Sequence, residues 1–320
     1  MTLETKERPI TVYGAMVANI IITIAKLAAA VVTKSSAMLA EVIHSFVDIS
    51  NEVLLLFGMK RSERQADEMH PFGYGKEIYF WGLIVALLLF AVGGGMSVYE
   101  GITHIEHPVE ISDPSWNYIV LGIAFIADTS SWIIGFRQML KRRQHGETIW
   151  QMVRGSKDPS IFIVLGEDTA DILGIVTAFS GVFLSHELNN PLIDGVASII
   201  IGIILITVAI FLTSESRSLI VGESANEVLI RHVRELAEAD PAIKKVRRLL
   251  TMQFGPNQIL VNIDLQFQAD LSSSEIFATI DRVEQSIQNQ YPEATQIFVE
   301  AKSLKAPSNG LSEKTPKVGT

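Results

Sequence analysis

Residues 37–59 read AMLAEVIHSFVDISNEVLLLFGM, and this stretch decides how the rest of the chain is read. A hydrocarbon core about 30 Å thick takes about 20 mostly apolar residues of helix to cross, and the run meets that length. Yet it carries His44, Asp48 and Glu52 within it and Glu41 nearer one end. Ionisable groups at membrane depth are costly, so four of them in one span mark a pathway or a site.

Five further runs meet the same length test: Ile10–Val32, Ile78–Ile102, Trp116–Phe136, Ser160–Leu184 and Leu192–Thr213. The expected fold is an α-helical membrane bundle of six transmembrane helices, with both termini on one side. Basic residues say which side. Lys60, Arg61, Arg64 and Lys76 follow span two, and Arg137, Lys141, Arg142, Arg143, Arg154 and Lys157 follow span four. The opposite connections hold Lys34 alone, and Lys6, Arg8 and Arg217 agree with the basic side. Both termini are therefore expected in the cytoplasm. The residues before the first span are polar and the run after them is of span length, so no cleavable signal peptide is expected. Charged residues make up 19% of the chain, below the roughly 25% of soluble domains, and the net charge of −9 argues against a nucleic-acid partner. Cysteine is absent, which removes disulfides, thiolate metal sites and cysteine nucleophiles together.

After Ser214 the pattern becomes that of a small α+β domain. Ser224 and Glu227 have the spacing of a capping box, followed by an apolar-periodic run through Val228, Leu229, Val233 and Leu236. Val246–Phe254 reads as a strand, Gly255-Pro256-Asn257 as a turn, and Val261, Ile263, Leu265 and Phe267 alternate with polar residues as a second strand. Ser272 and Glu275 open a second helix to about Asn289, and Thr295–Ala301 is the last strand, an α-β-β-α-β order. The expected divisions are an N-terminal cytoplasmic segment 1–9, a membrane domain 10–213, a cytoplasmic α+β domain 214–304 and a disordered tail 305–320.

The polar residues inside spans carry the chemistry. Span one holds Asn19 and Lys26, span four Asp128, span five Glu167, Asp168 and Asp171, and span six Asp194 near its start. His44 and Asp48 are four apart, as are Glu167 and Asp171, so each pair stacks on one helix face about 6 Å apart along the axis. Span two runs inward and span five outward, which puts Asp48 and Asp171 at matching depth near the midplane. One imidazole and three carboxylates there form a cation site, and four such ligands can surround Zn²⁺ at about 2 Å. Emptied of metal, carboxylates so close would hold protons instead, so metal-for-proton exchange is a possible transport mechanism. The plainer reading, residues that cap or bridge neighbouring helices, fits one such group better than two matched pairs.

These residues sit in a recognisable frame. Ser36-Ala37-Met38-Leu39-Ala40-Glu41, His44-Ser45-Phe46-Val47-Asp48, Leu55-Leu56-Phe57-Gly58 and the loop Asp67-Glu68-Met69-His70-Pro71-Phe72-Gly73-Tyr74-Gly75-Lys76 follow one another in order. With Asn19 and Lys26, Tyr99-Glu100-Gly101-Ile102, and the link Ser214-Glu215-Ser216-Arg217-Ser218-Leu219-Ile220-Val221-Gly222-Glu223, the chain resembles the cation diffusion facilitator family over residues 10–302. That resemblance implies a proton-coupled exporter of divalent metals working by alternating access, with a cytoplasmic domain that supports a homodimer. It also implies that His44, Asp48, Glu167 and Asp171 fill the four positions of the transport site. Where many zinc exporters have His-x-x-x-Asp in span five, this chain has Glu-x-x-x-Asp. Zn²⁺ is the expected substrate, with Mn²⁺ or Fe²⁺ as alternatives because oxygen-rich sites also suit them. No prosthetic group is expected.

Some relatives bind an accessory zinc in the loop after span two. Asp67 and His70 match two of its ligands, but the third position holds Tyr74, so a loop brace is the competing account. Asp128, near Ser130 and Ser131, lines an access path or makes an interhelical bond. Asp168 points about 100° from Glu167 and serves behind the ligands or in packing. Lys26 pairs with a buried carboxylate or snorkels, and Gly93-Gly94-Gly95 allow close helix contact. His232 stands alone after span six, too few for a zinc cluster there. The outer acidic segment from Glu100 to Asp113 reads as a solvated face.

Expelling a divalent cation against 100 mV costs about 4.6 kcal/mol, at about 2.3 per charge; each pH unit of inward proton gradient offsets about 1.4 kcal/mol per proton. A metallohydrolase is disfavoured because no His-Glu-x-x-His helix is present. A metal-sensing receptor lacks an effector module. A passive divalent-cation channel is the nearest rival. A bacterial inner membrane is the expected location, because no long targeting extension is visible.

Overall fold

The computed structural model describes residues 9–109, 114–141 and 157–301. The expected N-terminal segment, much of the basic stretch after span four and the tail lie outside the described residues, apart from Pro9. Six long helices come first: α1 Pro9–Thr33, α2 Ser36–Ser62, α3 Glu77–Glu106, α4 Ser115–Lys141, α5 Pro159–Glu187 and α6 Leu192–Val221. Among them α2, α3, α6 and the Ser115–Arg137 part of α4 are long and apolar enough to cross a membrane by length and composition alone. In α1 the described apolar portion, Asn19–Thr33, is shorter. In α5, Glu167, Asp168 and Asp171 fall within two turns and lower the hydropathy that a span is judged by.

The bundle is apolar outside as well as inside. Ile21, Ile24, Val31, Ile119, Ile123, Ile126, Ile203 and Ile210 all face outward, as suits a surface solvated by lipid tails. Small residues set the closest approaches. A Cβ on Gly94 would meet Ile206 Cγ1 at 2.5 Å and the Gly202 carbonyl at 3.1 Å, and one on Gly101 would meet the Gly195 carbonyl at 2.6 Å. The backbones of α3 and α6 therefore touch at two glycine pairs, and Ser198 Oγ donates to the Ser97 carbonyl between them at 2.8 Å. Of the three consecutive glycines, Gly93 and Gly94 face this contact, whereas Gly95 does not. Just before it, residues Leu89–Gly94 of α3 widen into a π-helical stretch, which sequence periodicity does not announce.

The start of α2 is fixed from a distant part of the chain. Asp194, fully buried near the start of α6, accepts from Ser35 Oγ (2.7 Å), Ser36 Oγ (3.0 Å), Ser36 N and Ala37 N (3.3 Å). His104 Nε2 approaches the same carboxylate at 3.9 Å. One carboxylate thus satisfies donors that the first turn of a helix leaves unpaired.

α6 runs on past Thr213 to Val221 and stops at Gly222, whose φ of +118° takes the left-handed conformation that glycine adopts freely. The chain divides into two compact units at Glu223 and Ser224. The second unit holds α7 Glu227–Glu238, β1 Ile243–Gly255 as far as Met252, β2 Gln258–Phe267, α8 Ser273–Gln290 and β3 Gln296–Ala301, the α-β-β-α-β order read from the sequence; Gln253–Pro256 groups with the first unit. The sheet order is β1-β2-β3, with β3 parallel to β2 from Leu260↔Gln296 to Leu265↔Ala301. Leu229, Val233, Val261, Ile263, Val283 and Ile287 form its core. Ser272 and Glu275 make the expected capping box in full. Ser224 does not cap α7; Asn226 does, its side chain accepting from Val228 N at 2.9 Å. Asparagine caps as well as serine, and here it stands next to the first helical residue.

Candidate metal centre

α2 and α5 bring His44 and Asp48 against Asp171. The His44 imidazole, with no exposed surface, lies between two carboxylates: Nδ1 is 3.3 Å from Asp48 Oδ1 and Nε2 is 3.1 Å from Asp171 Oδ1. Neither contact has hydrogen-bond geometry. Both imidazole nitrogens, Asp48 Oδ1 and Asp171 Oδ1 are buried without a hydrogen-bond partner. Buried polar atoms in native proteins are normally paired, so these four orphans need a reason. A single cation accounts for three of them, one imidazole nitrogen and one oxygen from each carboxylate, because the two nitrogens point to opposite sides of the ring. One ligand atom from each of His44, Asp48 and Asp171 lies within 4.8 Å of the others, and among the described residues this is the one such group of three.

Glu167, the fourth expected ligand, stands beside this group and is held by another residue. Asn51 Nδ2 donates to Glu167 Oε1 at 2.6 Å, with both side chains buried and Asn51 Oδ1 left unpartnered. Asn51 lies seven residues after His44 and three after Asp48, so it shares their face of α2. It was not singled out from sequence, although that spacing was there to be used.

The group borders a cavity of about 440 Å³. Asn19, Lys26, Asp128 and Asp168 all line it, together with Ser45, Asp48, Glu52, Glu167 and Asp171. Each lining residue comes from α1, α2, α4 or α5; none comes from α3 or α6. Exposed Asn19, Met59 and Val164 mark its mouth, at the end where α2 finishes and α5 begins. Toward the other end lie Lys26, 1% exposed, and the fully buried His44. Carboxylates gathered here repel one another unless protons or a cation lie among them. Asp128 and Asp168 both contribute carboxylates to this wall. Lys26 pairs with a buried carboxylate, Glu41, at 3.1 Å, and does not snorkel.

The loop after α2 is braced internally. Asp67 accepts from His70 N at 2.7 Å and from Tyr74 hydroxyl at 2.6 Å, and His70 Nδ1 stands 3.4 Å from Asp67 Oδ1. These bonds, the Tyr74 hydroxyl's first, hold the Asp67 carboxyl below its ordinary range. Both Asp67 oxygens are thus engaged within the loop, and the Tyr74 ring lies tilted by 35° against His70 with ring centres 4.2 Å apart.

A helical bundle followed by a small α+β domain is the architecture of one family of membrane proteins, and the chain belongs to it, the cation efflux family. The model of the cation efflux transmembrane domain matches residues 12–221, and that of the cation efflux protein cytoplasmic domain matches residues 225–302. It is therefore an integral, multi-pass membrane protein. Among curated relatives it is 32% identical to the proton-coupled zinc antiporter SLC30A9, mitochondrial, of Xenopus laevis, over 76% of this chain and 44% of that protein. It is 27% identical to metal tolerance protein C4 of Arabidopsis thaliana, over 75% and 52%. With the manganese efflux system protein MneP of Bacillus subtilis it shares 22% identity over 89% and 92%. The chain spans about half the length of the SLC30A9 relatives it matches.

Proposed function

We propose that this protein exports divalent metal cations, Zn²⁺ foremost, in exchange for protons, through a site made by His44, Asp48, Glu167 and Asp171. The observation that carries this is the convergence of three ligand atoms, one each from His44, Asp48 and Asp171, within 4.8 Å of one another beside a cavity that opens at one end. In this reading the ion enters past Asn19, Glu52, Asp128 and Asp168, displaces protons from the carboxylates and is bound by His44, Asp48 and Asp171. Glu167 completes the set by leaving Asn51. Protons reload the carboxylates from the other side once the ion has left. The chain is a carrier without chemistry of its own on a substrate, and the metal is cargo.

The relative named a zinc antiporter supports Zn²⁺ and proton coupling. The relative named a manganese efflux protein, together with the oxygen-rich ligand set, supports Mn²⁺ as the second reading. Dimerisation is the role we assign to the α+β domain, with membrane lipid around the bundle and no nucleic-acid partner. The basic loops support cytoplasmic termini. A bacterial plasma membrane is our first placement, and an organelle membrane the second, because several relatives are named mitochondrial.

The test is metal-dependent proton flux in inside-out vesicles with Zn²⁺, Mn²⁺ or Fe²⁺, for wild type and Asp171→Ala. Flux with Zn²⁺ that the variant loses is the expected result. A larger response to Mn²⁺ or Fe²⁺ moves the assignment to that ion. Metal equilibration without proton movement would replace the antiporter with a passive pathway.

A further inference from the structure

Beyond the ligand group, on the side away from the cavity mouth, Glu41 is sealed inside the bundle, and Lys26, held also by Ser45, reaches it from the cavity wall. Glu41 lies three residues before His44 on α2, and therefore about one turn farther from the mouth. It has no exposed surface. Lys26 Nζ reaches it from α1, 3.1 Å from Glu41 Oε2, and donates to Ser45 Oγ at 2.8 Å. The other carboxylate oxygen, Oε1, is buried with no hydrogen-bond partner. It faces Gly174, three residues beyond Asp171 on α5, where a Cβ would overlap it. Past Glu41 the interior is closed by Ala37, Met38, Ala178 and Ala197.

This arrangement is odd if it only braces helices. A buried ion pair rarely stabilises more than a well-packed apolar pair would, because desolvating two charges offsets their attraction. Here the cation is tethered beside a site for cations, where it opposes the binding of a metal. One side of its carboxylate partner is left unsatisfied. Asp171 and Asp128 also act on the ammonium, so it stands where acids of the ligand group and of Glu41 both attract it. The ammonium occupies a position built from oxygen donors, a carboxylate and a hydroxyl, of the kind that divalent cations take.

We propose that Glu41 and Ser45 form a second cation station on the exit side of the metal site, filled in this conformation by the Lys26 ammonium. A divalent cation leaving His44, Asp48 and Asp171 for the far side displaces Lys26 from Glu41. The ammonium then moves toward Asp171, blocks the ion's return and lowers the affinity of the emptied site. The station rests on the transport reading of the His44 group, and its test separates the two.

The measurement is the number of Zn²⁺ equivalents bound by the purified full chain in lipid nanodiscs, by equilibrium dialysis. Lys26→Met vacates the station while keeping the Glu41 carboxyl, whose proton a divalent cation can displace, and is expected to bind one equivalent more than wild type. Lys26→Met/Glu41→Gln, neutral at both positions, is expected to lose that extra equivalent. His44→Ala in the Lys26→Met background should remove the ligand-group equivalent and keep the new one. No gain in Lys26→Met, or a gain that survives Glu41→Gln, overturns the station. A wild type without any His44-dependent equivalent overturns the transport-site reading instead, whatever Lys26→Met does. Should Lys26→Met fail to fold, Glu41→Gln alone decides. It frees the ammonium toward Asp171 and is expected to weaken Zn²⁺ binding at the ligand group at least tenfold, and unchanged binding overturns the station.

Discussion

Replacing Asp194 by alanine should unfold this protein more readily than any change on its lipid face, although Asp194 touches neither the ligand group nor the cavity. The carboxylate receives four donors, two serine hydroxyls and two backbone N–H groups at the start of α2. The two hydroxyl contacts are of ordinary length, the Ser36 N contact is short and the Ala37 N contact is long. Hydrogen bonds to a charged acceptor are worth about 1.5–3 kcal/mol each, and each buried donor left alone costs about 1–3 kcal/mol. The terms overlap, since the serines can turn toward other acceptors, so the sum is well below four full penalties. A loss of about 3–5 kcal/mol is the expected magnitude, in line with breaking a buried charged network. Asp194→Asn keeps the shape and one acceptor oxygen and should lose about half as much. Denaturation of the full chain in detergent, followed by helical circular dichroism, measures both. An Asp194→Ala variant within about 0.5 kcal/mol of wild type, the range of an ordinary surface change, would refute the reasoning. So would an asparagine variant no better than alanine.

Three further outcomes follow from other parts of the molecule. Asn51→Ala frees Glu167 from its 2.6 Å bond and should tighten Zn²⁺ binding by roughly three- to tenfold as Glu167 joins the ion; calorimetry showing unchanged affinity would place Glu167 outside the ligand set. Gly101→Ala forces a methyl group against the Gly195 carbonyl and should cost about 1–3 kcal/mol, read from the same denaturation curves; full retention of stability would mean that the helices part easily. In the α+β domain the Arg282 guanidinium, bonded to Asp240 at 2.8 and 3.1 Å, holds that carboxyl below its ordinary value. A lowered carboxyl stabilises above the ordinary range near pH 3.8, and the effect fades as pH falls through the lowered value. Arg282→Ala should therefore raise the Asp240 titration midpoint in carbon-detected spectra of the full chain, and an unmoved midpoint would show that the contact does not persist in solution.

Much of this was legible in the sequence for a simple reason: lipid and helical geometry leave few choices. Span-length apolar runs had to be helices, and ligands four residues apart had to share a face. His44, Asp48 and Asp171 meet because two antiparallel helices bring matched depths together. What stayed hidden were partners on other helices. Asn51 is an unremarkable polar residue until Glu167 is seen against it, and Ser45 until Lys26 arrives from α1. Asp194 looked like a charge at a helix start, whereas it caps a different helix altogether. The end of α6 was also misread, since Ser214–Val221 is polar enough to resemble a linker while remaining helical. Composition marks where lipid ends, not where a helix does.

The contact between α3 and α6 has a bearing on motion. Two backbones that touch at paired glycines, with Val98, Ile105, Ile199 and Ile206 seated over those glycines, cannot slide without lifting apart, and they form a single stiff plank. The cavity is walled by the other four helices, which carry its ionisable residues. Any rocking that moves an ion across is then a movement of those four against the plank. Tying α3 to α6 covalently should leave transport unaffected, whereas tying α2 to α6 should stop it.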